Sequence, residues 1–248
     1  MTSRERIVKT LCGEPADRVP FSPFLAYWWE AQSDALTHKG ELEFLESIGA
    51  DPLFRGHAPM YGKDGRDLLV CRQFLDDCEI SSKTEGTTRT IAYRTSRGTL
   101  TLGYRYVAEG DTWFLVDHPV KTEEDFRLLQ YIMENTHLEP DYAPFVQAAE
   151  ALGERGLLLP LICPETKSSF QSMLEKWVGT ETMVYSLMDF PETVEETLHA
   201  MQRVSMDAAK IAAASPSPFF LSWEDTSTTN ISPNYYREYI LPEINGWC

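Results

Sequence analysis

Runs of apolar residues alternate with helical patterns along much of this chain. Residues 157–163, Leu-Leu-Leu-Pro-Leu-Ile-Cys, form a continuous apolar run, which is typical of a buried parallel strand. Shorter apolar runs at 20–26, 51–55 and 219–223 predict three more strands of the same kind. Helical patterns separate most of these strands. The alternation of strand and helix predicts an α/β fold with about four parallel core strands.

Capping residues and apolar spacing mark the helices. Thr2 followed by Glu5 has the spacing of a capping box, and Pro191 suits the first turn of a helix. The predicted helices lie at 3–12, 41–48, 122–135, 141–154, 168–177, 180–188 and 191–214, and a last one begins at Ser232.

Residues 68–117 have a different character. Segments 70–74, 87–95, 98–107 and 112–116 are rich in Thr, Tyr, Val and Ile, and Gly-containing turns separate the last three. This pattern predicts an antiparallel β-meander, inserted beside the parallel core.

The charge balance excludes some classes of partner. Against 22 Lys and Arg, the 248 residues include 38 Asp and Glu, which gives a net charge of −16. Nucleic acids and anionic membrane surfaces attract basic proteins, so neither is an expected partner.

The cysteines and the apolar runs bear on the compartment. The five cysteines are widely spaced and form no Cys-x-x-Cys pair, which favours free thiols in a reducing environment. The N-terminal residues contain no apolar signal core, and no run approaches the roughly 18 apolar residues of a membrane span. We therefore expect a cytoplasmic protein.

Two carboxylates, Glu224 and Asp225, follow the fourth predicted strand. Such residues can act as an acid or base, accept a substrate hydrogen bond, or bind a metal ion; alternatively, they cap backbone N–H groups of the loop. Lys167 follows the third strand, where it could meet an anion or simply be a solvated residue at a helix start.

Other candidates follow the first two strands. Arg55 could hold an anionic group, and His57 could move a proton or bind a metal ion, although a lone loop histidine is often incidental. Tyr27, Trp28 and Trp29 could form an apolar wall for a flat ligand such as a corrinoid, or could pack against the insertion.

Several stretches resemble the uroporphyrinogen decarboxylase superfamily. They are GEPADRVPF near the N-terminus, TSRGTLT in the β insertion, PLICPETKSSFQSMLEKWVGTETMVYSLMDFPETVEETLHAM, and SWEDTSTTNISPNYYREYILPEI near the C-terminus. The resemblance covers nearly the whole chain and implies a (β/α)8 barrel with its site at the C-terminal strand ends. Residues 1–248 would form a single N-terminal portion of that barrel, with 68–117 as the insertion.

Two departures from the family pattern narrow the expected activity. The family's decarboxylases carry arginines after the first strand, whereas Phe24 to Glu30 contain none, which argues against a substrate with many carboxylates. The family's methyltransferases place zinc-binding His and Cys residues in later strands that have no counterpart in this sequence. We therefore predict no metal site and no demonstrable cofactor in this chain, while zinc and a corrinoid on a partner protein are implied for a completed methyltransferase.

The resemblance favours corrinoid-dependent transfer of a methyl group between a methylcobamide protein and a thiol or folate acceptor, with Glu224 and Asp225 orienting the acceptor. Uroporphyrinogen decarboxylation, which needs no cofactor, is one alternative. A non-catalytic half-barrel subunit that binds a corrinoid protein is another. Four parallel strands leave open edges, so we expect a fragment of a longer product, a separately encoded second half, or self-association into an oligomer.

Overall fold

The computed structural model describes residues 1–25, 28–29, 31–59 and 67–248. The chain forms two compact units, and both contain helices and strands. Unit 1 comprises Met1–Val70, Asp141–Leu161 and Ser215–Leu221. Unit 2 comprises Cys71–Pro140, Ile162–Ala214 and Ser222–Cys248. The α/β class predicted from the sequence is confirmed.

Unit 1 contains a parallel sheet of two strands, β1 (Leu53–Arg55) and β8 (Leu157–Leu159). Pro160 has no backbone N–H and ends β8, which is therefore shorter than predicted. Beyond it, Leu161 forms an isolated parallel bridge with Leu221.

The other two predicted core strands are not formed as strands. Residues 219–223 contribute only the bridge at Leu221, whose N–H donates to the Pro160 carbonyl at 2.9 Å. Residues 21–25 contain no strand, because Pro20 and Pro23 remove ladder donors. The expected core of four parallel strands is thus two strands and a bridge, and the described residues close no barrel.

The described residues of unit 1 include four α-helices of at least four residues. They are α1 (Ser3–Leu11), α2 (Asp34–Thr37), α3 (Glu41–Ser47) and α5 (Ala143–Leu152). The predicted capping box at α1 is present: Thr2 Oγ1 accepts from Glu5 N, and the Glu5 carboxylate accepts from Thr2 N. Ile7 of α1 packs with Leu157 and Leu159 of β8 in a buried cluster.

A buried ion network lies beside α1. The side chain of Asp51 is fully buried and binds Arg6 Nη1 at 2.5 Å and Arg18 Nη1 at 2.6 Å. Phe21 N donates to the same carboxylate at 3.0 Å. Arg6 also pairs with Asp17 at 2.6 Å, so the network ties together α1, the loop after it and the chain before β1.

Unit 2 contains two antiparallel sheets, as the antiparallel pattern predicts. The larger sheet has the order β3 (Cys78–Glu85), β4 (Thr88–Thr95), β5 (Gly98–Val107), β6 (Thr112–Asp117). Strand β3 was not predicted because its sequence, CEISSKTE, is polar, and most of its side chains are exposed.

The smaller sheet corrects the predicted meander. Strand β2 (Cys71–Leu75) pairs with β7 (Thr136–Pro140) and not with the four-stranded sheet. Strand β7 lies 60 residues along the chain, and no sequence pattern had indicated it.

The predicted helices of unit 2 are present. They are α4 (Glu123–Glu134), α6 (Ser169–Ser172), α7 (Thr180–Asp189), α8 (Pro191–Ala213), α9 (Pro233–Tyr235) and α10 (Leu241–Trp247). Helix α6 continues as a π-helical turn, Met173–Trp177, and α9 as another, Tyr236–Ile240. A buried core that includes Leu100, Phe126 and Trp177 joins the larger sheet to α4 and α6.

Within the described ranges, no helix has both the length and the apolar character needed to cross a lipid bilayer.

Candidate functional site

The loop between Cys163 and Ser168, in unit 2, holds the backbone feature that first points to a site. Thr166 has a φ of 67°, a left-handed conformation that β-branched residues rarely adopt. The loop is held in place, since Thr166 N donates to Cys163 O at 3.0 Å and Trp223 N donates to Thr166 O at 2.9 Å. Backbone strain that the surroundings maintain is concentrated at functional positions.

Glu224 lies next to this loop and is the most firmly held of the predicted site residues. Its Oε1 accepts from Ser168 N at 2.5 Å and from Ser222 Oγ at 2.7 Å. Its Oε2 accepts from Ser168 Oγ at 2.8 Å. A carboxylate has about four acceptor positions. These three bonds therefore fix the group and leave one position on Oε2.

Glu243 of α10 is a second carboxylate, and it is bound by Ser169 in the way that Glu224 is bound by Ser168. Ser169 N donates to Glu243 Oε2 at 3.0 Å, and Ser169 Oγ donates to Glu243 Oε1 at 2.9 Å. Glu243 is buried, and burial raises its pKa, to which the negative charge of Glu224 adds. Two adjacent serines at the start of α6 thus hold two carboxylates that are distant in sequence.

Glu243 did not appear among the sequence candidates. It lies within the ILPEI segment of a helical pattern, where a glutamate is ordinarily solvated. No local signal distinguishes it, because its burial arises only when α10 packs beside the start of α6.

Asp225 lies beside Glu224 in the chain but has a different setting. Its carboxylate accepts from Ser227 N at 2.9 Å and from Asn230 Nδ2 at 2.8 Å. The Ser227 backbone bond and the Asn230 bond hold the pKa of Asp225 below its ordinary value. These contacts match the loop-capping alternative, and a catalytic role for Asp225 stays a prediction.

Lys167 is not the solvated residue that one alternative expected. Its side chain is mostly buried and forms an ion pair with Glu175 in the π-helical turn. The Lys167 ammonium also favours the ionised form of Asp225. Gln171 donates through Nε2 to the same Glu175, while its buried Oε1 has no partner among the described residues. A buried amide oxygen in this state is suited to accept from a bound group or a water molecule.

Glu165 forms a third anchored carboxylate that the sequence did not single out. It accepts from Lys176 Nζ at 3.0 Å and from Trp177 Nε1 at 2.9 Å. Burial disfavours the charge on Lys176, but Glu165 together with Tyr93 and Tyr104 outweighs burial, and the pKa of Lys176 is raised. These bonds tie the loop to the π-helical turn Met173–Trp177, so we assign Glu165 a positioning role.

The remaining predicted residues belong to unit 1. His57 Nε2 lies 3.1 Å from Glu41 Oε2, and its Nδ1 lies 3.3 Å from the Arg55 carbonyl. Trp28 and Trp29 both pack on Phe44, with ring centroids 5.5 and 5.4 Å away, and Trp29 is buried. These tryptophans therefore pack on α3 of their own unit, whereas the alternative from the sequence was packing against the β insertion, which stays a prediction.

Tyr27, the third member of the predicted aromatic wall, lies outside the described residues. Its place beside a ligand stays a prediction.

Unit 1 also has a cavity of about 340 Å³. Its lining includes Phe145 and Leu152 of α5, Leu157 of β8, and Pro218. The lining contains none of the predicted site residues that the structure describes, so we give it no part in the candidate site.

The described part of the chain contains no group of three or more His, Cys, Asp or Glu side chains that is arranged to hold a metal ion. The zinc set that the family resemblance implies does not fit these residues, and no chemical step is assigned to zinc.

Comparisons of the chain with protein-family models, with curated proteins and with solved structures gave no match. The resemblance to the uroporphyrinogen decarboxylase superfamily therefore stays an expectation from the sequence motifs.

Proposed function

We propose that this chain acts in the cytoplasm in corrinoid-dependent methyl transfer, between a methylcobamide carried by a partner protein and a thiol or folate acceptor. Glu224 orients the acceptor by accepting a hydrogen bond from its S–H or N–H group. The observation that carries the proposal is the fixed Glu224 carboxylate, with three acceptor positions filled by the protein and one left.

The serine contacts support this role because they fix the direction of the carboxylate before a substrate arrives. Ser168 binds both oxygens of Glu224, so rotation of the group would break two hydrogen bonds at once. A preorganised acceptor costs little reorganisation when the substrate binds. The Ser168 carbonyl accepts from Ser172 N at 2.9 Å, which anchors Ser168 to the first turn of α6.

The motif order supports the reaction class. The segment that contains Glu224 and the loop that contains Ser168 are parts of two stretches that resemble the superfamily. In that superfamily, sites lie at the C-terminal ends of strands, which is where the sequence places both segments. The absence of arginine from Phe24 to Glu30 favours methyl transfer over decarboxylation of a polycarboxylate.

The test uses the full chain with methylcobalamin as methyl donor, and either 2-mercaptoethanol or tetrahydrofolate as acceptor. Methylated product is measured by mass spectrometry. We expect product with one acceptor, and a rate at least about tenfold lower for Glu224→Gln, because a hydrogen bond to a charged group contributes about 1.5–3 kcal/mol.

Glu181→Gln is the matched control, since Glu181 is an exposed glutamate of α7 in the same unit. It should retain the wild-type rate. If the wild-type chain forms no methylated product with either acceptor, the methyl-transfer proposal is wrong. If product forms at equal rates in Glu224→Gln and wild type, Glu224 is not the orienting group.

A further inference from the structure

Arg55 ends strand β1 with a guanidinium group that is only partly satisfied. Its Nη2 donates to the Ser22 carbonyl at 3.0 Å, and its Cζ lies 5.6 Å from the centre of the Phe24 ring. Its Nη1 is buried, and no hydrogen-bond acceptor reaches it among the residues that the structure describes. We propose that Arg55 binds the carboxylate group of a small organic ligand.

Arg55 differs from the other described arginines of unit 1, each of which has an acidic partner. Arg6 and Arg18 pair with Asp51, Arg155 pairs with Glu46, and Arg4 lies 3.7 Å from Glu154. The chain has 38 acidic residues, so a carboxylate partner for an arginine is readily available. Arg55 alone in this described set has none within ion-pair distance.

The surroundings make this arrangement costly without a ligand. Burial lowers the pKa of Arg55, and among the described residues no negative charge opposes that effect. Arginine nevertheless stays protonated in proteins, so the charge and the open Nη1 donor are both present. A buried donor without a partner lowers stability, and an oxyanion at Nη1 would remove that penalty through a charge-assisted hydrogen bond.

The same surroundings favour a monocarboxylate over a phosphate. One guanidinium supplies a single positive charge, which balances a monocarboxylate but not a phosphate dianion. The exposed ring of Phe24 offers an apolar surface beside the guanidinium. We therefore expect an organic acid with an apolar or aromatic body. This site lies wholly in unit 1, and its assignment does not depend on the methyl-transfer proposal.

In the first test, the full chain is titrated with benzoate and, separately, with inorganic phosphate. Isothermal titration calorimetry measures both affinities. We expect saturable benzoate binding and weaker phosphate binding. Arg55→Met should weaken benzoate binding at least about tenfold, which is the loss expected for one charge-assisted contact. Arg105→Met removes the same charge from an exposed strand position of unit 2 and should leave benzoate affinity within about twofold of wild type.

The second test is thermal unfolding without ligand. Methionine fills much of the space of arginine without a charge. If the buried guanidinium destabilises the ligand-free protein, Arg55→Met should melt at a higher temperature than wild type. Benzoate should raise the melting temperature of wild type but not of Arg55→Met.

Three outcomes would overturn the inference: equal benzoate affinity in wild type and Arg55→Met, tighter binding of phosphate than of benzoate, or a lower melting temperature for Arg55→Met. Arg55→Lys is a further variant, which keeps the charge but loses the planar donor fork. Unchanged benzoate affinity in that variant would also overturn the inference.

Discussion

Asp51→Asn is the substitution for which the structure gives the clearest expected magnitude. Asp51 is fully buried and its two oxygens accept five hydrogen bonds, from Ser3, Arg6, Arg18 and the backbone of Phe21. Asparagine keeps one oxygen and turns the other into an NH₂ group. That NH₂ group would face donors only.

The smallest loss follows if the amide nitrogen replaces Oδ2. The bonds from Arg18 Nη1 at 2.6 Å and Phe21 N at 3.0 Å are then broken. A lost bond to a charged group costs about 1.5–3 kcal/mol, and an unsatisfied buried N–H about 1–3 kcal/mol. The sum agrees with the 3–5 kcal/mol typical of breaking a buried ion pair. We expect the free energy of unfolding to fall by about 3–5 kcal/mol.

Urea unfolding followed by far-UV circular dichroism measures this change. With a slope near 2 kcal/mol per molar, the midpoint should fall by about 2 M. Glu154→Gln is the matched control in the same unit, because Glu154 is 62% exposed and its arginine partner is 3.7 Å away. The control should lose less than about 1 kcal/mol.

The pH dependence provides a second check on the same residue. Burial would raise the pKa of Asp51, but the hydrogen bonds from Phe21 N, Arg18, Ser3 and Arg6 outweigh burial and hold it below the ordinary value. The carboxylate therefore stabilises the fold above about pH 4, and this contribution is lost as the pH falls further. Below about pH 4, the free energy of unfolding of Asp51→Asn should therefore depend less on pH than that of wild type. A loss for Asp51→Asn no larger than that of Glu154→Gln would refute the reasoning.

Three further substitutions test unit 2. Because the pKa of Glu243 is raised, the native state retains a proton that the unfolded chain releases above about pH 4.3. The free energy of unfolding of the wild type should therefore fall as the pH rises from there. Glu243→Gln should abolish that fall, which urea titrations at several pH values measure. Thr166→Gly relieves about 1–2 kcal/mol of left-handed backbone strain at an entropic cost of about 0.5–1 kcal/mol. The melting temperature should therefore rise by about 2–3 °C. The control Thr101→Gly, in strand β5, should lower the melting temperature. Trp177→Ala should cost about 3–5 kcal/mol in urea unfolding, since it empties a buried site and removes the bond to Glu165; a loss under 1 kcal/mol would show that the core repacks freely.

The sequence predicted the helices well, because their signals are local. The capping box at Thr2, the proline at the start of α8 and the apolar spacing of α4 depend on residues within a few positions of one another. The antiparallel strands β4, β5 and β6 were also predicted, since their composition and turns are local features. The polar strand β3 was missed because nothing in its composition indicated a strand.

The parallel core was predicted less well. Apolar runs indicated burial correctly at β1 and β8, but burial does not determine which backbone groups pair. Residues 219–223 are apolar enough for a strand and yet form a single bridge at Leu221. Pairing depends on the path of the neighbouring chain, which a short run of residues does not encode.

The motif GEPADRVPF also has contacts that only the tertiary structure reveals. The sequence presented it as a mark of family resemblance, while the structure places Asp17 and Arg18 in the network around Asp51, more than 30 residues away.

For the candidate site, the sequence by itself determined that Glu224 follows an apolar run and precedes a loop. Only the tertiary structure decided that Ser168 and Ser169 hold Glu224 and Glu243, which lie 56 and 74 residues further along the chain. The physical reason is that periodicity and capping act over a few residues, whereas the burial of a carboxylate and the donors that satisfy it are set when distant segments pack together.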